Sequence, residues 1–222
     1  NLQYIINNYL TSLEINGVKP ENSFYTVPSP GTISIFFENQ YYESNEKYLS
    51  ELSNALKKEY EEITRNGINL QIDCPDLAMG RHTRYSHLSE REFIEVLKTH
   101  VFYLNKAIEN IDPKKLRIHI CWGNYSGPHN FDINLEAIVK EILKINVNKI
   151  LLESANHSHN HEIEIFKKVK LPKDKILVLG VVDTGSQHIE TPELIAKRLI
   201  EASDIVGKDQ IMAGTDCGFL TT

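Results

Sequence analysis

What most constrains this chain is where its short apolar runs stop. Six such runs occur: 23–30 (SFYTVPSP), 68–73 (INLQID), 115–121 (KLRIHIC), 149–153 (KILLE), 175–183 (KILVLGVVD) and 210–217 (QIMAGTDC). A polar loop follows each, and helical patterns fit between them. Residues 1–17 read as a weak amphipathic helix. Leu49, Leu52, Leu56 and Ile63 have helical spacing, with Gly67 as the stop. Ser89 and Glu92 form a capping-box pattern ahead of Phe93, Val96, Leu97, Val101, Leu104 and Ile108. Residues 133–145 and 162–169 read as two further helices. Thr191 and Pro192 open another, which Gly207 ends.

Strands alternating with helices mean βα units and a parallel sheet, here in a single domain over residues 1–222. A doubly wound sheet and a (β/α)8 TIM barrel both satisfy the alternation. No run is followed by a GxGxxG turn, which favours the barrel. A barrel needs eight strands and typically about 250 residues. Six readable strands therefore predict an incomplete barrel, lacking its first two strands and its last helix.

Five of the six runs end in ionisable residues: Asp73, His119 with Cys121, Glu153, Asp183, and Asp216 with Cys217. A buried parallel strand has no structural need for such groups, and burial costs several kcal/mol each unless they are paired or ligate a metal. The carboxyl ends of parallel strands are where barrels and open α/β sheets place their active sites. In RIHICWGN, side chains two apart share a face, so His119 and Cys121 point the same way. One imidazole, two thiols and the Glu153 carboxylate make a donor set suited to tetrahedral zinc. The plainer alternatives are that an H-x-C pair binds nothing and that Cys217 is a core thiol. The shared strand-end placement weighs toward metal.

Composition narrows the partners. The net charge is −6 with no long basic run, which argues against nucleic acid or an anionic membrane as partner. No apolar stretch approaches the roughly 18 residues of a membrane span. Three cysteines in 222 residues are no disulfide framework, which fits a reducing cytoplasm.

LQIDCPDLAM, IHICWGN, ILLESAN, LGVVD and AGTDCGF, in that order, resemble the catalytic domain of cobalamin-independent methionine synthase. They look closer still to its single-domain relatives, which include epoxyalkane:coenzyme M transferase. The resemblance runs from about Val27 to the chain end. It implies a (β/α)8 barrel whose zinc ion activates a thiol substrate, with the ligands falling on His119, Cys121, Glu153 and Cys217. Asp73 matches the family residue that holds the amino group of homocysteine, and Cys74 replaces a family Glu. The G-V-x-D motif places Asp183 among the catalytic candidates. Gly185 stands where the family's catalytic histidine would align, and His188, three residues on, is the candidate to replace it. The large N-terminal domain of the folate-using enzymes has no counterpart here. Both departures speak against methyltetrahydrofolate as donor.

Other loops carry weaker signals. Arg81 and Arg84 in RHTRYSH could pair a substrate anion, although a solvated loop is the plainer reading. Trp122 could wall the site or pack beneath the loop. His157, His159 and His161 alternate in SANHSHNHE, which reads as a solvated loop, a substrate or proton-transfer element, or a second metal site still lacking its carboxylates. The expectation is a zinc-dependent S-alkyltransferase that moves a methyl group from a donor to the thiol of homocysteine. Thiol addition of the coenzyme M type, a zinc hydrolase and a purely structural zinc are the alternatives, and a homo-oligomer is left open.

Overall fold

The computed structural model describes residues 1–124 and 128–219. The chain runs α1 (Leu2–Ile15), β1 (Phe24–Pro28), α2 (Pro30–Phe36), α3 (Asn45–Arg65), β2 (Asn69–Asp73), α4 (Glu90–Ile108) and β3 (Leu116–Ile120). It continues through α5 (Leu135–Ile142), β4 (Lys149–Leu152), β5 (Ile176–Gly180), α6 (Pro192–Val206) and β6 (Ile211–Gly214). All six strands lie in one parallel sheet in sequence order. A doubly wound sheet reverses its order at a switch point, and this one does not. Consecutive order is that of a (β/α) barrel wall. β1 and β6 are its edges, so the described sheet is not closed.

The pairing register sorts side chains into two faces. Leu70 stands beside Leu116, and Ile72 beside Ile118, which in turn pairs with Ile150. These residues, with Leu152, Leu177 and Leu179, are buried in one core with the helices. Each such side chain contributes roughly 1.5–3 kcal/mol on burial. The other face carries Gln71, Arg117 and Lys149 in one row, with Asp73 beside His119 one step nearer the carboxyl ends. That polar face is where the chemistry is placed.

Local sequence explains the helices. In α3 the Ser44 hydroxyl accepts from Lys47 N, and Leu49, Leu56, Tyr60 and Ile63 form the buried stripe. Gly67, at φ 84°, reverses the chain after it in a conformation that favours glycine. α4 has the expected capping box between Ser89 and Glu92, and it buries Phe93, Leu97, Val101, Leu104 and Ile108. α6 starts at Thr191 and Pro192 as read.

Two elements differ from the sequence reading. The run 23–30 is not one strand. It breaks at Ser29, whose hydroxyl accepts from Thr32 N and opens α2 with Pro30 in its first turn. Residues 162–169 are not an α-helix but a 3-10 segment, Glu162–Lys167. No helix among the described residues is long and apolar enough to cross a membrane.

Candidate metal centre

β3 delivers His119 and Cys121 to the polar face at its carboxyl end, and both are buried. Cys217 arrives from the segment after β6. One imidazole nitrogen of His119 and the sulfurs of Cys121 and Cys217 all lie within 4.8 Å of one another. Tetrahedral zinc with bonds of about 2.0–2.3 Å needs its ligands roughly 3.4–3.8 Å apart. The three donors fit such an ion with a shift of about 1 Å or less.

Partners of the imidazole settle which nitrogen is available. His119 Nδ1 is 2.8 Å from Asp73 Oδ1, and Nε2 is 3.0 Å from the Asp216 backbone carbonyl. A carboxylate on Nδ1 orients the ring and leaves Nε2 to ligate. Burial works against charging His119, but the Asp73 hydrogen bond and carboxylate, with Cys217 and Glu153, outweigh it and raise its pKa. The two thiols, within 4.8 Å of each other, differ in acidity. The hydrogen bond from Cys121 pulls Cys217 down to about 7 against the effect of burial, with His119 assisting. The same contact, together with burial, pushes Cys121 well up. Cys217 is therefore the more acidic thiol of the pair, and Cys121 Sγ also accepts from Gly123 N at 3.3 Å.

Glu153 stands at the edge of this group. Its Oε1 accepts from Trp122 N at 2.9 Å and its Oε2 from Asn156 Nδ2 at 3.0 Å. Burial raises its pKa, partly offset by the Trp122 hydrogen bond. The cluster of three excludes it, so the carboxylate is held beside the donors rather than among them.

Asp216 is the residue to which sequence reasoning assigned no task. It is buried, and its carboxylate accepts from Ser154 N and Ala155 N on Oδ1 and from Asn156 N and Nδ2 on Oδ2, at 2.8–2.9 Å. It ties the loop after β4, which carries Glu153, to the loop after β6, which carries Cys217. Gly180 makes room for it: a Cβ there would lie 2.1 Å from Asp216 Oδ1.

The remaining candidates divide. Asp183 borders a cavity of about 230 Å³ together with Glu153, His159, Asn124 and Cys217. Its Oδ1 accepts from Gly185 N. His188 is exposed and is not among the residues lining that cavity, so the structure does not bring it to the centre. Arg81 points back to its own loop, 3.4 Å from the Tyr85 and Ser86 carbonyls, and Arg84 pairs with Glu38. Trp122 is fully buried, donates from Nε1 to Ile133 O at 2.8 Å and packs on His159 with ring centroids 4.5 Å apart. Packing beneath the loop is thus the alternative seen. Cys74 is buried with its sulfur toward Ile72 O. His157 and His161 are exposed, whereas His159 is buried.

Residues 31–222 match the family described as cobalamin-independent synthase, catalytic domain. The chain belongs to this family. The matched span contains Asp73 and every residue of the cluster. Among curated relatives, the methionine synthase of Sulfurisphaera tokodaii is 28% identical over 199 residues, which is 89% of this chain and 50% of that protein. The methionine synthase of Sulfolobus acidocaldarius is 26% identical over 219 residues, covering 96% and 56%. The chain spans about half the length of the curated relatives it matches. A B12-independent methionine synthase from Shewanella sp. W3-18-1, solved in complex with selenomethionine, superposes with a TM-score of 0.70 at 25% identity, over 87% of this chain and 54% of that one. The family's barrel architecture agrees with the consecutive strand order found here.

Proposed function

We propose that this cobalamin-independent synthase domain is a zinc-dependent S-methyltransferase acting on the thiol of homocysteine. The observation that carries the reading is the buried approach of His119, Cys121 and Cys217 at the strand ends of a chain in this family. When bound, zinc keeps a substrate thiol ionised near neutral pH, as a nucleophile for an electrophilic methyl carbon.

The chain's own residues have separate tasks. Asp73 fixes the His119 ring through Nδ1. Its side chain is 38% exposed, so it can also receive the amino group of the incoming amino acid. Cys121 and Cys217 supply the sulfur donors. Glu153 is the second-rank ligand, held back by Trp122 N and Asn156 Nδ2. Asp183 borders the cavity in which the donor would lie. Gly185 borders that cavity and the exposed His188 does not, so its imidazoles are those of His129 and His159, a departure from the family pattern that favours a donor other than a folate. Free thiols at the centre suit a reducing, cytoplasmic setting.

Calorimetry of homocysteine binding, run in buffers of different ionisation enthalpy, tests this. The zinc-loaded protein should release about one proton per thiol bound, because the thiol enters ionised. Cys121→Ser should abolish both the binding and the release. Binding without proton release would remove the thiol-activation reading.

A further inference from the structure

Beside the His119 centre, three separate loops bring imidazoles to a single carboxylate. Asp132, in the loop after β3, is the hub. His129 Nδ1 is 2.7 Å from its Oδ2, and His159 Nε2, from the loop after β4, is 3.1 Å from the same oxygen. His82 Nδ1, from the loop after β2, is 2.7 Å from Oδ1. The side chains are largely withdrawn from water: 9% exposed for His82 and Asp132, 16% for His129 and 4% for His159.

Two details bear on what this group can hold. Among the described residues, Asp132 Oδ1 accepts no aligned hydrogen bond although His82 Nδ1 is so near. At 2.7 Å His82 Nδ1 is closer to Asp132 Oδ1 than the edge of about 3.4 Å in a tetrahedral shell with 2.1 Å bonds, so His82 backs the carboxylate rather than joining a shell. His159 Nδ1 likewise has no aligned hydrogen bond, yet it faces the buried Glu162 carboxylate at 3.8 Å. A carboxylate behind the second nitrogen of an imidazole is the usual support of a metal-ligating histidine.

We propose that His129, Asp132 and His159, whose donor atoms all lie within 4.8 Å of one another, form a second metal site, for a borderline divalent transition ion of the zinc class. Two imidazole nitrogens and one carboxylate oxygen suit such an ion, whereas calcium and magnesium take oxygen-rich shells. The site is distinct from the centre at His119, Cys121 and Cys217, and it contains no sulfur. His129 and His159 border the same 230 Å³ cavity as Glu153 and Cys217, so the second ion would adjoin the space available to the methyl donor.

Metal content and cobalt(II) spectra of the full chain test the site without using activity. The metal-free protein is titrated with zinc, and separately with cobalt, whose sulfur-bound form alone shows thiolate-to-metal charge transfer. The wild type should bind two equivalents, only one with that band. His129→Gln and Asp132→Asn should each lose the sulfur-free equivalent and keep the other. Cys121→Ser should do the reverse. His129 lies at the rim, so its variant guards against loss of fold, checked by circular dichroism. A wild type that binds one equivalent would overturn the proposal, as would two equivalents that survive both cluster variants. Failure of homocysteine binding with both equivalents present would count against the methyltransferase reading alone.

Discussion

The substitution Asp216→Asn should weaken the fold and the metal centre together. The carboxylate receives four N–H donors: Ser154 N and Ala155 N on Oδ1, and Asn156 N and Nδ2 on Oδ2, with Ala155 N also reaching Oδ2 at 3.2 Å. An amide retains one oxygen and turns an NH2 toward two donors. Two hydrogen bonds to a charged acceptor are lost, each worth about 1.5–3 kcal/mol. The direct loss is thus about 3–6 kcal/mol, less whatever relaxation recovers. For a chain of this length that lowers the melting temperature by on the order of 10 °C. Urea unfolding of the zinc-free protein measures the fold term without linkage to metal. Zinc titration of the folded variant measures the second effect, because the same clamp sets Cys217 against the loop that carries Glu153. Gly180→Ala reaches the clamp from beneath, with its Cβ 2.1 Å from Oδ1 and 2.8 Å from the Asp216 Cα, and should give the same phenotype. An Asp216→Asn variant within about 1 kcal/mol of wild type, with unchanged zinc affinity, would refute the clamp.

Asp73→Asn should fold normally and lose roughly 10–100-fold in zinc affinity, because it removes the carboxylate that orients His119; competition with a chromophoric chelator reads this, and unchanged affinity would leave Asp73 a substrate role alone. In the metal-free protein, iodoacetamide should modify Cys217 first, since Cys74 and Cys121 are buried. Its rate should rise with pH to a midpoint near 7, because the thiolate is the reactive form and its pKa is lowered to about 7. Zinc should protect it, and a midpoint close to that of an ordinary thiol would contradict the lowering by Cys121. Ser89→Ala removes the α4 capping box and should cost about 1 kcal/mol in urea unfolding, with metal affinity untouched.

Much of the centre was legible because strand periodicity is local. In RIHIC, a two-residue repeat suffices to put His119 and Cys121 on one face, and their donor atoms do meet in one cluster. What pairs with them is not local. Asp216 grips backbone donors some 60 residues away, and nothing in GTDCG marks which loop it will hold. The histidines of SANHSHNHE alternate as in a strand, but no strand forms there. Only His159 turns inward, because its carboxylate partner Asp132 comes from another loop. The sequence PHNFD, with His and Asp three apart, was the available sign of that partner. Trp122 adjoins Cys121 in sequence, yet its indole N–H needs an acceptor once buried and finds Ile133 O beneath the loop. The start of α2 is hidden within 23–30 because Ser29 and Pro30 follow apolar residues without interruption. Their cap geometry, rather than hydropathy, ends the strand. Residues 162–169 are too short and charge-rich to hold an α-helix by themselves, and only Ile165 and Phe166 among their apolar side chains are fully buried.

X-ray absorption at the zinc edge, with and without homocysteine, tests the central claim most directly. Sulfur neighbours from Cys121 and Cys217 with nitrogen from His119, joined by one more sulfur when homocysteine is added, is the predicted result. A zinc shell without two protein sulfurs, or one that ignores the thiol, would contradict the account.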